Sequence, residues 1–199
     1  KGPMSSIIES QAKIRSTFVY PCEKFLPMND RDIFPVCSGN LHVIHTPGHT
    51  DGHCVLLLPE KRILFSADLL LPVTFSPICL HHFGDQNPVK TFLATLRNFL
   101  DMDISDFTIL PGHGWRFDDP TGRAKLQAEY YLKQAEWYYK KCVHGMDTAW
   151  KIALEIFRDS ENKRKLRFIM GEAMAFMEYL AEEGKVGRRI DSDGLHFIV

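Results

Sequence analysis

The sequence is marked first by what it lacks. No apolar run reaches the roughly 18–20 residues that span a bilayer, so a transmembrane helix is not expected. The opening Lys1-Gly-Pro-Met-Ser-Ser is not followed by the apolar stretch of a secretory signal. No strong charge of either sign is present. The 199 residues carry a net charge of −1, residues 1–119 hold 10 basic and 13 acidic side chains, and residues 120–199 hold 14 and 12. Neither stretch is the polycation that a nucleic-acid binder usually presents. The five cysteines (Cys22, Cys37, Cys54, Cys79, Cys142) form no CxxC pair and no even framework. Reduced, mostly buried thiols in a cytoplasmic protein are expected. Residues 1–40 contain no histidine, although the chain has nine.

What is present begins to order itself at Leu41. Leu41-His-Val-Ile-His-Thr46 is rich in β-formers. Cys54–Leu58 and Arg62–Ser66 are short apolar runs across a polar link, the pattern of a buried hairpin. Residues 69–87 form a long loop, and ahead of Leu41 only a helix near Ser6–Ser16 can be suggested. Asn87-Pro88 reads as a helix start, and Phe92, Leu96, Phe99 and Leu100 recur at helical spacing. Asp106–Leu110 reads as another strand. After Pro120 the pattern becomes helical: Arg123–Val143 with an aromatic cluster, a helix capped by Asp147 and running to about Phe157, and Phe168–Glu183 ended by Gly184. Ser192-Asp-Gly194 then predicts a hairpin. The reading is an α+β chain with two regions, a β-rich one over residues 1–119 and a small helical, winged-helix-like one over residues 120–199.

Three segments place a potential metal ligand in a turn just after a predicted strand: Thr46-Pro-Gly-His49-Thr-Asp-Gly-His53, Ser66-Ala-Asp68, and Leu110-Pro-Gly-His113-Gly. Imidazole and carboxylate are the ligand set of zinc, iron and manganese sites. Glycine before His49 and before His113 permits a sharp turn that aims the side chain inward. A lone turn histidine is more often a surface residue, and Asp68 alone could cap a turn; the joint pattern is what carries the signal.

This ordered pattern resembles the metallo-β-lactamase fold superfamily, in its glyoxalase II-like metallohydrolase branch, over roughly residues 40–199. The resemblance implies an αββα sandwich of which the second half is in view, followed by a C-terminal winged-helix-like domain. It implies that His49 binds a first metal, that Asp68 bridges two metals, that His113 binds the second, and that His53 supports the site without ligating. The cofactors would be two divalent ions, zinc foremost, with iron or manganese as options. Ala67 stands where the family commonly has glycine before the aspartate. The family's first motif, His-x-His-x-Asp-His, has no counterpart in residues 1–40, and the other histidines do not replace it. Two expectations follow: the chain belongs to a longer enzyme that carries the motif, or it is an inactive remnant.

The implied function is a hydrolase that uses hydroxide held by two metals on an ester, thioester, lactone or related small substrate. A phosphodiester or RNA nuclease of the same fold is the alternative. Phe75, His81, His82 and Phe83 are candidates to wall the substrate site, with loop packing the competing role. DNA binding is not expected, because the helix before the hairpin carries Glu172, Glu178, Glu182 and Glu183, the wrong sign for phosphates. Its Met and Phe positions suit packing, or a homodimer through the C-terminal region. The aromatics of 123–143 are expected in the core between the two regions.

Overall fold

Five strands form one sheet in the order β1-β2-β3-β4-β5. The structure is a computed structural model that describes residues 27–81, 83–157 and 163–199. The strands are β1 (Ile33–Val36), β2 (Gly39–His45), β3 (Cys54–Leu58), β4 (Ile63–Ala67) and β5 (Thr108–Pro111). The first four pair antiparallel. β4 and β5 are parallel, and the crossover between them carries helix α1 (Pro88–Leu100). The predicted hairpin is β3–β4, joined by the single turn Pro59–Lys61. Along β4, Leu64 and Ser66 turn into the core while Phe65 and Ala67 turn out, the period of two that a pleated strand imposes.

α1 starts as the sequence predicts. The Asn87 side chain accepts the Lys90 backbone N–H at 3.2 Å, and Pro88 occupies the first turn. Val89, Phe92, Leu96 and Phe99 then form one buried face at helical spacing.

Three further helices follow: α2 (Pro120–Val143), α3 (Ala149–Ile156) and α4 (Lys163–Glu182). The hairpin β6 (Gly187–Asp191) with β7 (Gly194–Ile198) closes the chain. One buried cluster contains Val55, Leu64 and Ile109 of the sheet, Phe92 and Leu96 of α1, and Tyr131 and Tyr138 of α2. It continues to Phe176 and Leu180 of α4 and Phe197 of β7. At its centre Tyr138 stacks on Phe176 at 4.8 Å, and Phe92 meets Tyr131 edge-on at 5.2 Å. The aromatics of α2 therefore join the sheet to the tail, as expected. The buried cluster crosses residue 119 without a break.

Several expectations are corrected. β1 is absent from the sequence reading because Pro35 interrupts it, and as an edge strand it tolerates proline. The cap of α3 is Thr148, whose hydroxyl accepts the Lys151 N–H at 3.1 Å; Asp147 is instead engaged with Lys151 and His196. α2 begins at Pro120, capped by Asp119, and α4 begins at Lys163, because charged helix formers extend it beyond its apolar pattern. Cys79 and Cys142 are buried, but Cys54 is half-buried and Cys37 exposed; these four are free thiols. The suggested helix at 6–16, Cys22 and His82 lie outside the described residues. Among the described residues, no helix is long and apolar enough to cross a membrane.

Candidate metal centre

Strand direction brings the three candidate ligands together. β2 and β4 each run antiparallel to β3, and β5 runs parallel to β4, so β2, β4 and β5 point the same way. Their C-terminal ends share one end of the sheet. His49 lies in the turn after β2, Asp68 directly after β4, and His113 two residues after β5.

Asp68 is the centre of the arrangement. Its Oδ2 lies 3.5 Å from His49 Nε2, and its Oδ1 lies 3.6 Å from His113 Nε2. Both separations exceed the reach of a normal N–H···O bond, about 2.7–3.2 Å. Two ligands each about 2.0–2.2 Å from a tetrahedral ion stand roughly 3.3–3.6 Å apart. The spacing thus fits a cation shared by each nitrogen–oxygen pair, with one carboxylate oxygen serving each. No group of three or more His, Cys, Asp or Glu side chains converges on one point among the described residues. Each pair by itself offers a cation two protein atoms.

Hydrogen bonds fix the ring states. His49 Nδ1 lies 2.8 Å from the carbonyl oxygen of Pro77. That oxygen can only accept, so Nδ1 holds a proton, and in the neutral ring Nε2 carries the lone pair that faces Asp68. The Asp68 backbone N–H donates to His53 Nε2 at 3.2 Å, so the His53 proton sits on Nδ1, which meets Thr46 Oγ1 at 2.7 Å. Burial lowers the His53 pKa and favours the neutral ring, which can accept. His53 thus touches the Asp68 backbone.

The backbone around Asp68 is tightly specified. Ala67 has φ +44°, a left-handed conformation that glycine adopts more readily, and the β4–β5 register shifts between Phe65 and Ala67. The irregularity re-aims the chain just before Asp68. A Cβ on Gly112 would stand 2.6 Å from Asp68 Oδ1 and 3.1 Å from the Ala67 carbonyl carbon, so a side chain there would displace the carboxylate. Gly48 has φ +125°, and a Cβ on it would stand 2.5 Å from Phe92 Cβ. Thr95 of α1 donates to the Pro47 carbonyl at 2.8 Å, holding the His49 turn from below.

The other candidates divide. Phe75 stacks on Tyr130 at 4.2 Å and lies under the Arg123 guanidinium at 4.4 Å, which is a packing position. His81 borders a small cleft with His49, Asp51, Cys79 and Asp85. Phe83, directly before the cleft residue Gly84, is 95% exposed. Sequence reasoning missed Thr46, Ser76 and the Pro77 carbonyl. Only Thr46 carried a signal, its place in the Thr-Pro-Gly-His turn.

Comparison with known proteins places the chain in a family. The sequence profile of the metallo-beta-lactamase superfamily matches residues 8–113, and that of the metallo-beta-lactamase-like C-terminal domain matches residues 136–197. The chain belongs to the metallo-beta-lactamase superfamily. A beta-lactamase-like protein 2 homolog of Drosophila melanogaster is 32% identical over 111 residues, which are 55% of this chain and 32% of that protein. A hydroxyacylglutathione hydrolase of Haemophilus influenzae is 28% identical over 96 residues, 46% of this chain and 43% of that one. A crystal structure of a metallo-beta-lactamase family protein from Thermus thermophilus superposes with a TM-score of 0.79 at 28% identity, covering 94% of this chain and 58% of that chain. The matched residues span 32% to 58% of these relatives' length.

Proposed function

We propose that the chain serves a metal-dependent hydrolase acting on an ester, thioester, lactone or related small substrate. Asp68, His49 and His113 are the residues that would hold two divalent ions, Asp68 contributing one oxygen beside each histidine. The observation that carries this reading is the pairing of each Asp68 oxygen with a different imidazole Nε2, at 3.5 and 3.6 Å. Zinc is the first ion to test; iron and manganese use the same ligands. Divalent ions at such a site supply positive charge that acidifies water towards neutral pH and polarises a carbonyl or phosphoryl oxygen.

The residues of this chain then have separate duties. His49 is a ligand and not a proton shuttle, because its Nδ1 proton is held by the Pro77 carbonyl. His53 orients Asp68 through its backbone N–H. His81 lines the cleft beside His49 where a substrate would lie, while Phe75 belongs to the packing against α2. The relation to a hydroxyacylglutathione hydrolase favours a carbonyl substrate, although the fold alone does not choose one. The hairpin's cations are already engaged: Arg188 Nε meets Glu178 at 2.8 Å, and Arg189 meets Asp191 at 3.4 Å. That supports a small molecule over DNA.

The test uses the full-length protein. Metal content by elemental mass spectrometry is read beside hydrolysis of an aryl ester, a thioester and a phosphodiester. His113→Ala should lose metal and hydrolysis together, and Asp68→Asn should lose both ions. Losses of bound metal should exceed the tenfold or so typical of an outer hydrogen-bonding partner. Unchanged metal content and activity in His113→Ala would sink the assignment. Cleavage of the phosphodiester alone would replace the carbonyl substrate with a nuclease's.

A further inference from the structure

The segment 74–80 runs between the candidate metal centre and the tail helices, and both sides hold it. On the metal side, His49 Nδ1 donates to the Pro77 carbonyl at 2.8 Å, and the Ser76 hydroxyl donates to the Asp68 carbonyl oxygen. On the tail side, Arg123 donates to the Thr74 carbonyl at 2.6 Å and the Tyr131 hydroxyl donates to the Ser76 carbonyl; both residues belong to α2. The Leu80 N–H donates to the Gly171 carbonyl of α4 at 2.9 Å, and Cys79 Sγ lies 3.5 Å from the Phe168 carbonyl. Ser76 is 2% exposed and Tyr131 3% exposed, so water does not compete for this chain of bonds.

We infer that Tyr131 is a positioning residue for the metal centre: through Ser76 and Pro77 it holds His49 in the tautomer whose Nε2 is free to bind a cation. The physical link is short. The hydrogen bond from Tyr131 fixes the direction of the Ser76 carbonyl, and therefore the plane of the Ser76–Pro77 peptide. The proline ring fixes the next φ. One soft dihedral is left to set the Pro77 carbonyl, and Ile78, 1% exposed, is anchored just beyond it. With its acceptor fixed, His49 keeps its proton on Nδ1. If the carbonyl swings away, the proton can move to Nε2 and block the ligand atom. A residue far downstream of His49, on a helix of the tail, thus acts on the metal side of the molecule. The duty of Tyr131 rests on the proposed metal site, but the tautomer of His49 can be read without metal.

Long-range nitrogen–proton NMR of ¹⁵N-histidine-labelled full chain at about pH 8, where free histidine is neutral, reads each ring's tautomer. The unaltered chain should show His49 with a protonated Nδ1 and a bare Nε2. Tyr131→Phe removes only the hydroxyl and should shift both nitrogens towards values averaged over the two tautomers, with a loss of zinc affinity of about tenfold. Ser76→Ala removes only its bond to the Asp68 carbonyl and leaves the Tyr131–Ser76–Pro77 link intact, so the His49 tautomer should persist. Tyr138→Phe, on the same helix and equally buried, stacks on Phe176 and should leave His49 unchanged. An unchanged His49 tautomer in a folded Tyr131→Phe chain would overturn the inference, as would a protonated Nε2 in the unaltered chain. If Tyr131→Phe does not fold, Pro77→Gly frees the φ that the proline ring fixes, the second restraint on the same carbonyl; persistence of a single tautomer there would overturn it as well. Failure of the unaltered chain to take up zinc would count against the metal site, and the NMR reading would still decide the role of Tyr131.

Discussion

Ala67 sits at φ +44°, directly before the aspartate on which the candidate centre turns. A left-handed conformation costs a side-chain-bearing residue about 1–2 kcal/mol. Glycine would relieve that strain but give back roughly 0.5–1 kcal/mol through the freedom of its unfolded chain. Ala67→Gly should therefore be neutral or stabilising by up to about 1.5 kcal/mol in denaturant unfolding, with the Asp68 geometry intact. A destabilisation of more than about 1 kcal/mol would show that the Ala67 methyl contributes packing that outweighs its strain. His49, Asp68 and His113 stood out in the sequence as candidates because each follows a predicted strand, two follow a glycine, and their order resembles the family's pattern. The deviation from glycine at 67 was legible too, but not its consequence, which depends on the bulge at the end of β4. The acceptor for His49 was not legible at all, since the Pro77 carbonyl is backbone and its side chain carries no signal.

Among the elements, the start of α3 shows how a tertiary contact overrides a local rule. Asp147 is a good capping residue by type, yet Thr148 caps and Asp147 bonds Lys151 Nζ at 2.6 Å and His196 Nδ1 at 3.0 Å. The other nitrogen of His196 faces Asp191 at 3.0 Å, so the cluster ties α3 to both strands of the terminal hairpin. Hydrogen bonds from Lys151 and then His196 hold the Asp147 carboxyl down at about 2, against an ordinary 3.8. A folded-state pKa below the unfolded value means that the stabilisation is complete above about pH 4 and is lost as pH falls towards 2. Solvent screening keeps it to on the order of 1 kcal/mol. The stability gap between the unaltered chain and Asp147→Asn should therefore be widest above pH 4 and close towards pH 2. A gap that does not vary with pH would remove the carboxylate's charge from the account. The hairpin itself was legible from Ser192-Asp-Gly194, and α1 from Asn87-Pro88. β1 was not, because its pairing with β2 is a long-range fact and Pro35 masks its pattern.

Over the whole molecule, the sequence divides at about residue 119, but the buried side chains do not. Two family profiles match on either side, at 8–113 and 136–197. Yet Phe176 of the tail stacks on Tyr138 and Tyr131 of α2, and Tyr131 meets Phe92 of α1. Composition reveals a change from strands to helices; it does not reveal that their apolar faces share one core. A shared core predicts a shared opening. The slowest-exchanging amides of Val55 and Leu64 in the sheet and of Phe176 and Leu180 in the tail should exchange through the same global unfolding event. Phe176→Ala should lower the protection of both sets by the same amount, about 3–5 kcal/mol for a large buried aromatic. If the tail amides lose protection while those of β3 and β4 keep theirs, the tail is a separate folding unit docked on the sheet. The hydrogen bonds from α2 and α4 to segment 74–80 would then break whenever the tail opens, and the Pro77 carbonyl that holds His49 would be released without unfolding the strands that carry the ligands. Equal losses mean that the tail is as permanent a component of the metal side as β4 and β5.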